Sequence, residues 1–156
     1  MTDSHLSAFS GEFHRKHADL LCESYERLTG KRLPGLAADP TALVLFDAPF
    51  ALVSHGTEDD PVFNFANRTA LDLFEMSWEE FTALPSRKSA EPVNREERAR
   101  LLARVTRDGY IDDYSGVRIS SSGRRFLIEN AVVWNLIDGR GVYHGQAAVF
   151  DRWSYL

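Results

Sequence analysis

Apolar side chains recur at helical spacing over residues 4–28. Leu6, Phe9, Phe13, Leu20, Leu21, Tyr25 and Leu28 form a stripe, and His14, Arg15, Lys16, Asp19, Glu23 and Glu26 fill the other positions. The stripe predicts an amphipathic helix, or two helices broken near Ser10-Gly11, ended by Gly30 and Pro34. Residues 33–40 read as a linker and residues 41–46 open a short helix. Residues 51–54 and 62–65 read as strands around a polar turn that begins at His55-Gly56. Asn67 caps a helix over 68–75, and Ser77 with Glu80 forms a capping box for another that Pro85 stops. After a polar loop at 86–92, Asn94 caps a helix over 95–107. Its apolar face is Ala99, Leu101, Leu102 and Val105, and Gly109 ends it. Three long strands follow, at 110–119, 125–137 and 141–152, joined by turns at Ser121-Ser122-Gly123 and Asp138-Gly139-Arg140-Gly141.

Short connections make the last three strands an antiparallel meander. Two strands, a helical excursion and a meander is the PAS order. The predicted fold is therefore α+β: a five-stranded antiparallel sheet at 41–156 with helices on one face. An N-terminal helical extension and linker at 1–40 caps the other face or joins a partner. Strand alternation assigns faces. Tyr143, Gly145, Ala147 and Val149 share one side of the last strand, and the smaller set suits the helix-covered core. His144, Gln146, Ala148 and Phe150 are then expected on the outer face. The same count places Asn130 with Phe126, Ile128, Val132 and Trp134.

Composition narrows the function. The chain has 156 residues, 44% hydrophobic and 26% charged, which suits one globular domain. A net charge of −5, with acidic residues among Arg95, Arg98, Arg100, Arg104 and Arg107, argues against a nucleic-acid surface. Those arginines read as a solvated helix face. The longest apolar run, 42–46, is too short to span a bilayer, and the polar start carries no leader pattern, so a cytoplasmic protein is expected. One cysteine, Cys22, allows no internal disulfide, and no metal-ligand spacing is present.

The run Asp60-Pro61-Val62-Phe63-Asn64-Phe65-Ala66-Asn67-Arg68-Thr69-Ala70-Leu71-Asp72-Leu73-Phe74-Glu75 resembles the core of the MEKHLA domain. Ser54-His55-Gly56, Leu84-Pro85-Ser86-Arg87-Lys88-Ser89-Ala90-Glu91, Asp112-Asp113-Tyr114-Ser115-Gly116, Val133-Trp134-Asn135-Leu136 and Gly145-Gln146-Ala147-Ala148 resemble the bacterial branch, which often stands alone. The resemblance covers nearly everything after about residue 15. It implies a PAS-related fold. In plants the domain ends homeodomain–leucine-zipper factors and is thought to restrain their dimerisation; this chain has neither homeodomain nor zipper.

The expected function is a sensory or interaction module that binds a small molecule or partner and signals through changed protein contacts. Candidate ligand residues are Asn64, Ser86, Arg87, Ser89, Arg118, Asn130 and Trp134. Arg87 could hold a carboxylate or phosphate bidentately, or close its loop on an acidic neighbour. The candidate interaction surface is Phe9, Phe13, Leu20, Leu21, Tyr25 and Phe150, facing a homodimer mate or another protein. No flavin is expected. Laid beside the hairpin of the flavin-binding LOV class, the positions of its two asparagines fall on Arg118 and Ile128, and Cys22 lies outside the excursion. No haem is expected either, with His144 facing outward. No catalytic constellation is evident. One alternative is an enzyme of the ketosteroid-isomerase-like cone fold, with Asp112 or Asp113 as base and Tyr110 or Tyr114 as oxyanion donor. Another is a dimerisation module with a filled core.

Overall fold

The computed structural model describes residues 12–33, 42–90 and 92–156. Phe9, the break near Ser10-Gly11 and most of the linker lie outside the described residues. The elements are α1 (Glu12–Thr29), α2 (Ala42–Phe46), β1 (Ala51–His55), β2 (Phe63–Ala66), α3 (Arg68–Phe74), α4 (Trp78–Phe81), a 3₁₀ turn (Ser86–Ser89), α5 (Pro92–Asp108), β3 (Tyr110–Ile119), β4 (Arg125–Ile137), β5 (Tyr143–Phe150) and β6 (Arg152–Tyr155). The sheet is antiparallel with strand order β2-β1-β5-β4-β3.

Several caps form as their sequences predict. Asn67 accepts from the Ala70 N–H, and Ser77 with Glu80 closes the capping box. Gly30 and Gly109, at φ 74° and 94°, end α1 and α5 in the left-handed region that glycine tolerates. Asn94 is not a cap, because α5 starts two residues earlier at Pro92, a residue favoured in a helix's first turn.

The sheet has six strands rather than five. The chain bends at Asp151, and β6 pairs with the first half of β4, Phe126 opposite Tyr155 and Ile128 opposite Trp153. At the same level β4 carries a bulge at Asn130, whose φ is +53°. One extra residue reverses the strand's parity. Phe126 and Ile128 face the excursion before the bulge, and Ala131 and Val133 face it afterwards. Asn130 itself is exposed, and Trp134 turns to the outer face. The face assignment of β5 is likewise inverted: Gln146, Ala148 and Phe150 face the excursion. His144 still faces outward, because a second irregularity lies between it and Gln146, at Gly145. A Cβ on Gly145 would stand 1.9 Å from the His55 carbonyl oxygen, and the φ of +126° is itself a glycine conformation.

Helix α1 packs on the outer face of its own sheet. Ala18, Leu21 and Tyr25 are buried one above another at i, i+3 and i+7, and belong to the same core as the strands. The Tyr25 ring meets Trp134 edge-on at 4.9 Å, and the indole N–H of Trp134 donates to Ser24 Oγ at 3.0 Å. One turn earlier, His17 Nε2 donates to Ser54 Oγ at 2.8 Å. That hydroxyl in turn donates to Asn64 Oδ1 at 2.5 Å. The imidazole is buried and therefore held neutral, its pKa lowered to about 4 by burial first, then by His14 and His144.

Fully buried Asn67 links four backbone groups. Its Oδ1 accepts from the N–H of Leu52 and of Ala70, and its Nδ2 donates to the carbonyls of Leu45 and Phe50. Only a side-chain amide supplies two donors and two acceptors here.

Two predictions follow. Asn67→Ala strands two carbonyls and the Leu52 N–H, at a cost on the order of 3–5 kcal/mol in urea unfolding; a loss below about 1 kcal/mol would show that the bonds are replaceable. The second concerns pH. His17 binds fewer protons folded than unfolded, so its contribution is intact above the unfolded value near 6.5. It falls away as pH drops toward 4, by up to about 3 kcal/mol in all. The difference in unfolding free energy between His17→Gln and the parent chain should change by most of that amount between pH 7.5 and 4.5, and a constant difference would refute the assignment.

Candidate functional site

A cavity of about 70 Å³ lies between the sheet and the excursion. β1 contributes Val53 and His55; β4 contributes Ile128, Ala131 and Val133; β5 contributes Gln146, Ala148 and Phe150. β3 closes one side with Ile111, Tyr114 and Arg118. The roof is α5, through Arg98, Leu101, Leu102 and Val105, with Phe74 and Ser89 completing it. Gln146 and Asn135 pin α5 to the sheet. Gln146 Nε2 donates to Asn135 Oδ1 at 3.1 Å and to Thr106 Oγ1 at 3.2 Å, and Asn135 Nδ2 donates to the Val105 carbonyl at 3.0 Å.

Three basic side chains stand in these walls beside the polar Ser89, Tyr114 and Gln146. Arg98 donates from Nη2 to the buried Ser86 hydroxyl, and no carboxylate lies within ion-pair distance of it among the described residues. Burial, then the charge of Arg118, brings its guanidinium down to about 10, so it stays protonated at neutral pH. Arg118 donates to its own neighbour's carbonyl at Val117 and lies 5.3 Å from the Tyr114 ring centroid. His55 is buried. Its Nδ1 lies 3.0 Å from the Gly56 carbonyl, which makes Nδ1–H the donor, and its Nε2 has no hydrogen-bond partner. Gln146 is close enough to act on the ring but completes no bond to it. Burial is the main cause of a lowered His55 pKa, so the ring is neutral and Nε2 is a bare acceptor.

The structure redistributes the residues singled out in the sequence. Ser89 and Arg118 line the cavity, while Ser86 stands behind Arg98. Arg87 closes its loop instead, pairing with Asp60 at 3.0 Å on the surface. Asn64 lies across the sheet in the groove beside α1, with Phe13, Lys16, His17 and His144. Asn130 and Trp134 leave the site for the reason given above. Phe150 moves from the expected interaction surface into the cavity wall. Of that surface, Leu21 and Tyr25 are used within the chain, Leu20 is half-buried, and Phe13 is exposed. Asp112 and Asp113 are exposed and do not line this cavity, although Asp113 lines an outer groove with Tyr114.

Sequence reasoning missed His55 and Arg98. His55 belongs to β1 rather than to the following turn, and shares the parity of Val53. Arg98 had a signal: it precedes Leu101, Leu102 and Val105 by three, four and seven residues, the spacing of a single helix face. Ala99, counted on that face, is exposed.

Among the described residues no group of His, Cys, Asp or Glu is arranged to hold a metal ion, and no helix is long and apolar enough to cross a membrane. Cys22 sits on α1, across the sheet from the cavity. Its thiol is pushed up to about 12 by burial and then by Asp19, Glu23 and Glu26.

Comparison with known proteins gives the chain its relatives. The PAS domain of a protein from Colwellia psychrerythraea superposes with a TM-score of 0.61 at 14% identity, over 74% of this chain and 92% of that one. The light-state dimer of the fungal blue-light photoreceptor Vivid gives a TM-score of 0.57 at 15% identity, over 81% and 90%. Such identities show the fold alone, and that fold is PAS-like. Homeobox-leucine zipper protein HOX9 of Oryza sativa subsp. indica is 27% identical over 139 residues, 87% of this chain and 16% of that protein. ATHB-9 of Arabidopsis thaliana is 29% identical over 100 residues, 64% and 12%. The chain thus spans a small fraction of these relatives' length. The MEKHLA domain model matches residues 15–155, nearly all of the sequence. The chain belongs to the MEKHLA domain family, a PAS-related family.

Proposed function

We propose that the chain is a sensory module that binds a small molecule in the cavity under α5 and reports it through protein contacts on the α1 face. The observation that carries this reading is the cavity itself, an unfilled space whose walls include the unpartnered Nε2 of His55. Voids and unsatisfied polar atoms are both few in a close-packed core, and here they coincide.

Strand β1 supplies a physical link between the two faces. Val53 and His55 point into the cavity, while Ser54 between them holds His17 of α1. A ligand that moves His55 therefore acts one residue away from the anchor of the helix. Signalling of this kind is a population shift, limited by how differently the ligand binds the two states. The output face has a partner-facing feature: Phe13 is 58% exposed beside the groove formed with Lys16, Leu20 and His144. A second copy of the chain or another protein would meet the molecule there, and the site belongs to a cytoplasmic binding protein rather than to an enzyme or a nucleic-acid reader.

This reading leaves no place for a flavin or haem. A cavity of about 70 Å³ is smaller than the roughly 150 Å³ that accommodates benzene. Arg118 and Ile128 do face it, at the two positions aligned with flavin-binding asparagines, but neither offers an amide. Cys22 is on the wrong side of the sheet and is not a thiolate.

The test is native mass spectrometry of protein purified from its own host. It should show a retained small molecule, together with the oligomeric state, and the protein should be colourless. Ala148→Leu, which fills the cavity, should abolish retention without loss of fold. If the parent chain retains nothing, and Ala148→Leu melts higher with unchanged assembly, the cavity is only a packing defect.

A further inference from the structure

The three basic side chains in the cavity, Arg98, Arg118 and His55, specify a ligand chemistry. Two guanidinium groups line one apolar space. Burial and Arg118 both act against the protonated form of Arg98. Arg98 is half-buried, and a cation withdrawn even partly from water is costly unless an anion accompanies it. The carboxylate with the best claim on this region, Asp60, is taken up by Arg87 at the surface and reaches Arg98 only through its field. Ser86 satisfies one Arg98 nitrogen and fixes the direction of the fork without supplying charge.

His55 provides an independent observation. It is 8% exposed, lines the same cavity, and presents Nε2 with no partner. Because Nδ1 donates to the Gly56 carbonyl, Nε2 accepts and does not donate. An anion alone would not satisfy it; a hydroxyl or amine hydrogen would.

Around these groups the walls are hydrocarbon: Val53, Ile111, Ile128, Val133, Leu101 and Phe150. A fully polar ion such as phosphate would leave them in contact with nothing. The volume sets the size. At roughly 10–15 Å³ for each enclosed water, the space holds about five to seven non-hydrogen atoms. Leu101 and Tyr114 line both this cavity and an external groove shared with Glu97, Arg100 and Asp113, so the two side chains form the partition from solvent. The Tyr114 hydroxyl lies over Gly116, where a Cβ would stand 2.2 Å from it, so the ring has room only because residue 116 is glycine.

We infer that the cavity is a site for a short hydroxylated monocarboxylate, its carboxylate held by Arg98 and Arg118, its hydroxyl donating to His55 Nε2, and its carbon chain packed on the aliphatic walls. This rests on the reading of the cavity as a ligand site and adds the class of ligand.

The probes are 2-hydroxybutanoate, butanoate, butanamide and inorganic phosphate, titrated into the ligand-stripped full chain by calorimetry. Methyl NMR shifts at Ile128 and Val133 locate the binding. The hydroxy acid is expected to bind at least tenfold more tightly than the amide and more tightly than butanoate. Phosphate is expected to leave the methyl signals unmoved. Arg98→Met and Arg118→Met should each erase the preference for acid over amide, and His55→Phe the preference for the hydroxyl. Because Arg98→Met also removes the bond to Ser86 in the 3₁₀ turn, the comparison of acid with amide on the unmutated chain stands by itself. Equal binding of butanoate and butanamide would overturn the carboxylate assignment while leaving a ligand cavity. Phosphate binding as tight as that of the acid would overturn the apolar half. Equal affinity for the hydroxy acid and butanoate would remove His55 from the site. If no probe binds and the native protein retains no molecule, the inference and the sensory reading fall together.

Discussion

The four hydrogen bonds of Asn67 are the constraint on which the rest of the arrangement depends. They join the end of α2, the residue before β1, the second residue of β1 and the first turn of α3 through one buried amide. Each of these backbone groups would otherwise be buried without a partner, because the segments meet in the core where water does not reach. Fixing Leu52 in this way fixes the phase of β1. That phase sends Val53 and His55 to the cavity and Ser54 to α1. The cavity and the helix anchor are therefore set by a residue that belongs to neither.

Element boundaries were legible because local chemistry determines them. The capping box at Ser77, the glycines at 30 and 109, and the cap at Asn67 act within three or four residues, and sequence shows them directly. Side-chain facing was less legible. Alternation predicts a face only while the strand is regular, and β4 and β5 each contain an irregularity that shifts the count by one. Asn130 and Gly145 adopt positive φ, a property that Asn and Gly permit without announcing. Trp134 changed sides for this reason, whereas Phe150 changed sides because the smaller residues of β5 face α1 and the larger ones face the excursion. β6 was hidden because a bend at a single residue, Asp151, divides one apparent strand into two.

The arginines show the same limit in charged form. Arg87 and Arg98 are equally basic in the sequence, and a polar loop seemed the better place for a ligand contact than a helix crowded with charge. The deciding quantity is what else can reach each guanidinium. Asp60 meets Arg87 in solvent, where such a pair contributes little, while Arg98 turns with Leu101, Leu102 and Val105 into the core. Partners that are distant in sequence decide the role, and helix phase was the one local clue.

The pair of irregularities at Asn130 and Gly145 has a further consequence for how such a domain can diversify. Positions that line the cavity, such as Val53, Ile128 and Val133, lie on regular strand segments and can change size one at a time without altering which way their neighbours face. Positions 130 and 145 line no part of the cavity, yet the facing of the side chains beyond each depends on the irregularity there. Descendants of this chain would thus be free to acquire new binding preferences through the cavity wall, while the two bends remain fixed as the grammar that keeps inside and outside distinct.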